Sequence, residues 1–175
     1  VNKGKTVFIA DTAVHEYPSS EQLSEIAISA ARVVRLFGFN PKVAFLSHST
    51  FGQPVTSSTK HIRDAVDILQ DKKVDFQFDG DMQPDVALSE EYKELYPFSG
   101  IVGNANILIM PGQHSAAISF KMMKTLGGAK VIGPLLIGLG EPIEIAPLRS
   151  STSDILNLAS VAAYSAGVID YGKKN

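Results

Sequence analysis

Short apolar runs alternate with helix-period segments along most of this chain, and that alternation narrows the choice of folds more than any other feature. Thr6-Val7-Phe8-Ile9-Ala10, Val43-Ala44-Phe45-Leu46 and Asn106-Ile107-Leu108-Ile109-Met110 are short and nearly continuous in apolar residues. Such runs make strands buried on both faces. Between them apolar residues recur at helical spacing, first at Leu23, Ile26, Ala27, Ala30, Val33, Val34 and Phe37, then at Ile62, Ala65, Val66 and Leu69. Ser19 with Gln22 reads as a capping box that starts the first of these helices, and Gly38 as its stop. A further helix is expected over residues 116–126, closed by Gly127-Gly128, and Ser151 with Asp154 caps a last one running through Leu158, Val161 and Ala162.

Two weaker strand signals complete the pattern. Asp75-Phe76-Gln77-Phe78-Asp79 alternates with period two, as a strand near a sheet edge does. Residues 131–139 supply more strand material, which Ile143-Glu144-Ile145 is expected to join across Gly140-Glu141-Pro142. Buried strands alternating with amphipathic helices imply an α/β fold, a mostly parallel sheet with helices on both faces. Ligands of such sheets bind beyond the carboxyl ends of the strands.

Composition removes several classes of function. A formal charge of −2 with Lys and Arg scattered singly or in short pairs leaves no basic stripe, so nucleic acid is not an expected partner. The chain has no cysteine, which excludes a disulfide framework, a thiolate metal site and a Cys nucleophile, and fits a cytoplasmic setting. The longest apolar stretch, residues 131–139, is far shorter than the roughly 20 residues that span a bilayer, so no membrane is expected. At 175 residues one domain is expected. A strand pattern begins a few residues after Val1, so the chain is expected to be a piece of a longer polypeptide.

Three polar clusters follow strands and are expected to converge on one sheet edge: residues 11–17, 47–53 and 79–85. In Ser47-His48-Ser49-Thr50-Phe51-Gly52, hydroxyls, an imidazole and free backbone amides would suit a phosphate or carboxylate, although a plain surface loop has the same composition. Asp79, Asp81 and Asp85 crowd one turn, where capping and turn roles are more common than metal ligation, and no metal is expected. His15, His61 and His114 share no ligand spacing. Asp154 is either a helix-capping residue or a base at a cleft, with capping the simpler role. The glycine fingerprints of dinucleotide and P-loop sites are absent.

Read together, Phe8-Ile9-Ala10-Asp11-Thr12-Ala13-Val14, Leu46-Ser47-His48-Ser49-Thr50, Asp79-Gly80-Asp81-Met82-Gln83-Pro84-Asp85 and Ile132-Gly133-Pro134-Leu135-Leu136-Ile137-Gly138-Leu139 resemble successive motifs of the phosphate acetyl/butyryltransferase, or phosphotransacetylase, family. Asn157-Leu158-Ala159 and His48 look like the branch of that family fused to bacterial NADP-dependent malic enzymes. The resemblance implies an isocitrate/isopropylmalate dehydrogenase-like module of two domains, with this chain as its carboxy-terminal part. Residues from about 145 to 175 would then pack on the amino-terminal half, in a homodimer or higher oligomer.

The same resemblance implies a cleft for acyl-CoA, with Ser47, His48, Ser49, Thr50, Asp81, Gln83, Arg149 and Ser150 as ligand residues. Acetyl-CoA would be the ligand. No cofactor is expected in this domain, whereas an upstream malic enzyme catalytic domain would use NADP and Mg or Mn. Active family members carry a Ser-Arg pair shortly before an Asp that matches Asp154. Here the pair's positions hold Pro147 and Leu148, which can neither bind an anion nor donate a side-chain hydrogen bond. An absent Arg removes a charge-directed donor from the transition state. The leading expectation is therefore a regulatory acetyl-CoA-binding domain without efficient acetyl transfer. The alternative is an active phosphate acetyltransferase with Asp154 as base and a displaced Arg149 as anion clamp; a dinucleotide-binding domain ranks last.

Overall fold

The computed structural model describes residues 5–54 and 56–168. Along the chain run β1 (Phe8–Ala10), α1 (Ser20–Leu36), β2 (Lys42–Leu46), α2 (Ser57–Asp71), β3 (Gln77–Met82), α3 (Pro84–Leu88), α4 (Glu90–Lys93), β4 (Ile107–Ile109), α5 (Gln113–Leu126) and α6 (Thr152–Val168). The four strands form one sheet in the order β1-β4-β2-β3, and every pairing is parallel.

Period-two alternation sends neighbouring residues of each strand to opposite faces. Val43 and Phe45 of β2 and Ile107 and Ile109 of β4 meet Leu23, Ala27 and Val34 of α1 and Ile62, Ala65 and Leu69 of α2 on one side. Ala44, Leu46, Leu108 and Met110 meet Val86 and Ala87 of α3 and Ala116 of α5 on the other. The sheet is thus covered on both faces, which is why its central strands read as unbroken apolar runs.

Local signals explain the helix starts. Ser19 accepts the Gln22 N–H at 3.3 Å while the Gln22 side chain accepts the Ser19 N–H at 2.8 Å, a complete capping box for α1. Ser151 and Asp154 make the matching reciprocal pair at the start of α6. Pro84 occupies the first turn of α3, where a missing N–H costs nothing.

Three expectations need correction. The edge strand lies at Gln77–Met82, two residues or more beyond the alternating run, because Asp79 pairs with Ala44 and Asp81 lies at a register shift between Gly80 and Met82, both paired to β2, instead of turning the chain. α5 begins at Gln113, three residues before its apolar pattern. Residues 131–145 form no strand in the described structure. Gly133-Pro134 and Pro142 interrupt the run, and the Leu136 N–H donates to the Glu144 carboxylate at 3.1 Å rather than to a backbone carbonyl. Ile137, Leu139, Ile143 and Ile145 remain exposed there. Their apolar character, which suggests a buried strand, is left facing solvent in the described residues.

Candidate functional site

Because all strands run parallel, the carboxyl ends of β1, β2 and β3 share one sheet edge. Of the three polar clusters that follow them, two are joined directly. Hydrogen bonds running in both directions stitch the loop after β2 to the end of β3. The Ser47 N–H donates to Met82 O at 2.9 Å, the Phe51 N–H to Asp81 O at 2.6 Å and the Gly52 N–H to the Asp81 carboxylate at 3.0 Å. The Ser49 hydroxyl donates to the second oxygen of that carboxylate. In return the Gln83 N–H donates to the Thr50 hydroxyl at 3.2 Å and its side-chain amide to His48 O at 2.8 Å.

This geometry corrects the expectation of free backbone amides in the loop. The Ser49 N–H is taken by the Ser47 hydroxyl at 3.1 Å, while Thr50 and Gln53 exchange backbone hydrogen bonds. A buried amide must find a partner, and here the loop supplies its own. What it turns outward is side chain: His48 is exposed, whereas Ser47 and Thr50 are nearly buried and Ser49 and Asp81 fully so. Ser49 and Asp81 therefore fix the loop's shape from beneath.

Asp81 is no capping acid, contrary to the simpler sequence reading. The three carboxylates of the 79–85 cluster serve different donors: Asp79 accepts the Gly80 and Gly100 N–H groups, Asp81 holds the loop, and Asp85 accepts the Val86 N–H in the first turn of α3. Among the described residues no group of three His, Asp or Glu side chains is placed to hold a metal ion.

The first cluster sits at the same edge but one strand away, since β4 separates β1 from β2. There Asp11 accepts the N–H groups of Ala13, Val14 and His15 at 2.8, 3.0 and 2.9 Å and meets His15 Nδ1 at 2.7 Å. Burial works to raise the Asp11 pKa, but these donors together hold it below its ordinary value. Ligand spacing gives His15 no role; only its distance of four residues from Asp11 hints at the pair.

The last candidates, Arg149, Ser150 and Asp154, are not joined to this loop by any hydrogen bond or ion pair among the described residues. Arg149 is exposed, and Leu148 beside it is 103% exposed. Asp154 accepts from the Ser151 N–H at 2.9 Å and the Ser151 hydroxyl at 2.8 Å, and these bonds, with Lys124 and Lys130 nearby, hold its carboxyl below the ordinary range. At its far end α6 is fixed by the Tyr164 hydroxyl, which donates to Leu36 O at 2.9 Å. Tyr164 also lines a cavity of about 390 Å³ with Leu36, Phe37, Gly38, Ser160 and Val161, at the amino-terminal edge of β2 and away from the loop.

A family model described as phosphate acetyl/butaryl transferase matches residues 1–163. The chain belongs to this family. An NADP-dependent malic enzyme of Rhizobium meliloti is 50% identical over 94% of this chain, which covers 22% of that protein. A phosphate acetyltransferase of Clostridium acetobutylicum is 35% identical over 91% of this chain and 49% of its own length. A phosphotransacetylase structure from Streptococcus pyogenes superposes with a TM-score of 0.88 at 33% identity, covering 93% of this chain and 50% of that one. The chain thus spans about a fifth of the malic enzyme and half of the Clostridium phosphate acetyltransferase. Within the phosphate acetyl/butaryl transferase family, the two kinds of relative frame the functional question.

Proposed function

We propose that this chain is an acetyl-CoA-binding regulatory domain of a malic enzyme that uses NADP, and that it transfers acetyl groups poorly. The observation that carries the reading is the 147–149 segment. Pro147 and the fully exposed Leu148 stand where active family members place Ser and Arg, so neither a hydroxyl nor a guanidinium is available at those positions to stabilise a developing phosphoryl or thiolate charge. The high identity to a malic enzyme supports the choice of parent.

Asp154 adds a second argument. A carboxylate whose pKa is depressed by Ser151 is a weaker proton acceptor than an ordinary one, and a base for a thiol needs the opposite tuning. Its capping role at α6 accounts for its position. The transferase reading keeps one favourable point, the presence of Arg149 one residue further along the turn.

On this reading His48 faces the ligand, Ser47, Ser49, Thr50, Asp81 and Gln83 hold the loop, and Ser150 with Arg149 completes the site once the upstream half of the module is in place. That half is also the natural occupant of the apolar carboxy-terminal surface, where Ile118, Met122, Leu126, Ile145, Leu148, Ile155 and Leu156 are exposed. Sensing requires two arrangements of the parent with different affinities for acetyl-CoA. Calorimetry of acetyl-CoA with the full-length parent, beside an assay of acetyl transfer to phosphate, tests the proposal. Binding without turnover supports it, and turnover on the order of 1–10³ s⁻¹ makes the domain a transferase.

A further inference from the structure

We propose that Phe51, Tyr96 and Phe98 form a platform on which the adenine ring of the acyl-CoA stacks, beside the 47–53 loop. The inference rests on the acyl-CoA reading and adds the part of the ligand that the polar loop leaves unassigned.

The platform begins with the stitching of the loop. Asp81 takes the N–H groups of both Phe51 and Gly52, and Phe51 is left at φ 50°, a left-handed conformation uncommon for a bulky aromatic residue. Held so, its ring meets Phe98 at 4.9 Å in an edge-on contact and Tyr96 at 5.3 Å, and those two rings lie 6.1 Å apart. The second segment is tied to the same edge strand. The Gly100 N–H donates to Asp79 at 2.7 Å and the Val102 N–H to Gln77 at 3.0 Å. Both halves of the cluster are therefore fixed on β3.

Phe98 is nevertheless 67% exposed, with Leu95 open beside it. A ring built into a three-ring cluster and still turned to water is suited to a flat ligand, because every nucleobase has a face that stacks on an aromatic side chain. Charge assigns which end of the ligand lies here. Glu91 and Glu94, with only Lys93 between them to offset the charge, make the stretch before Tyr96 net acidic and disfavour a phosphate there, whereas loop 47–53 with its exposed His48 contains no acidic residue. The base thus lies on the aromatic side and the phosphates toward His48.

The test uses the full-length parent and two probes, acetyl-CoA and acetyl-phosphopantetheine, which shares the reactive end but has no adenosine. Phe98→Ala is expected to weaken acetyl-CoA binding roughly tenfold and to leave acetyl-phosphopantetheine unchanged, with Phe98→Tyr restoring affinity. Equal affinity of wild type and Phe98→Ala for acetyl-CoA overturns the platform and leaves the acyl-CoA reading standing. Loss of both probes in equal measure, or a changed assembly state on gel filtration, makes Phe98 a structural or protein contact and also overturns it. No acetyl-CoA binding by the wild type removes the reading itself and the platform with it.

Discussion

Asp81 is fully buried, yet each of its carboxylate oxygens accepts a hydrogen bond from a loop some 30 residues earlier. Asp81→Ala would strand the Ser49 hydroxyl and the Gly52 amide, a loss of about 3 kcal/mol measurable by urea denaturation; Asp81→Asn, which still accepts, should lose less. The sequence places Asp81 at the site but among ligand residues, because spacing cannot show which donor a carboxylate will find across a fold. Asp11 makes a pH prediction. Its pKa is depressed in the folded state, so its contribution to stability is present above the ordinary value of 3.8 and lost as pH falls through the lower folded value. Thermal melts should therefore show Asp11→Asn less stable than wild type at neutral pH, with the gap closing in acid.

At the scale of elements, the close approach of β2 and β3 is set by one glycine. A Cβ on Gly80 would stand 2.7 Å from Phe45 Cβ and 2.9 Å from Phe45 O, so Gly80→Ala must push two paired strands apart. A cost of about 1–3 kcal/mol is expected from chemical denaturation, with loop 47–53 loosened as well, since its anchor is the next residue. Elements that combine periodicity with a cap are legible in the sequence: α1 and α6 start where Ser19 and Ser151 say they should. Residues 131–145 are not, because an apolar run reads alike whether it pairs in a sheet or waits for another surface. The alternation of Phe76 and Phe78 locates an edge strand but not its end, since Asp79 and Asp81 look like turn residues while lying along Ala44 and the end of β2.

Over the whole molecule, packing is uneven. The sheet with α1 and α2 holds most of the buried side chains, whereas Leu158 is the one residue of α6 among the buried hydrophobics described. Amide hydrogen exchange should find α6 far less protected than α1 in the isolated chain and slowed in the full-length parent; equal protection in both would mean α6 needs no further cover. The sheet order has a consequence of another kind, for synthesis. β4 comes last along the chain and lies between β1 and β2. Until Ile107–Ile109 leaves the ribosome β1 has no neighbour to pair with, while β2 and β3 are already able to pair. The loop and its Asp81 anchor can thus assemble on the nascent chain before β1 is locked in, and a chain halted before residue 107 would carry a formed half-site on an open sheet edge.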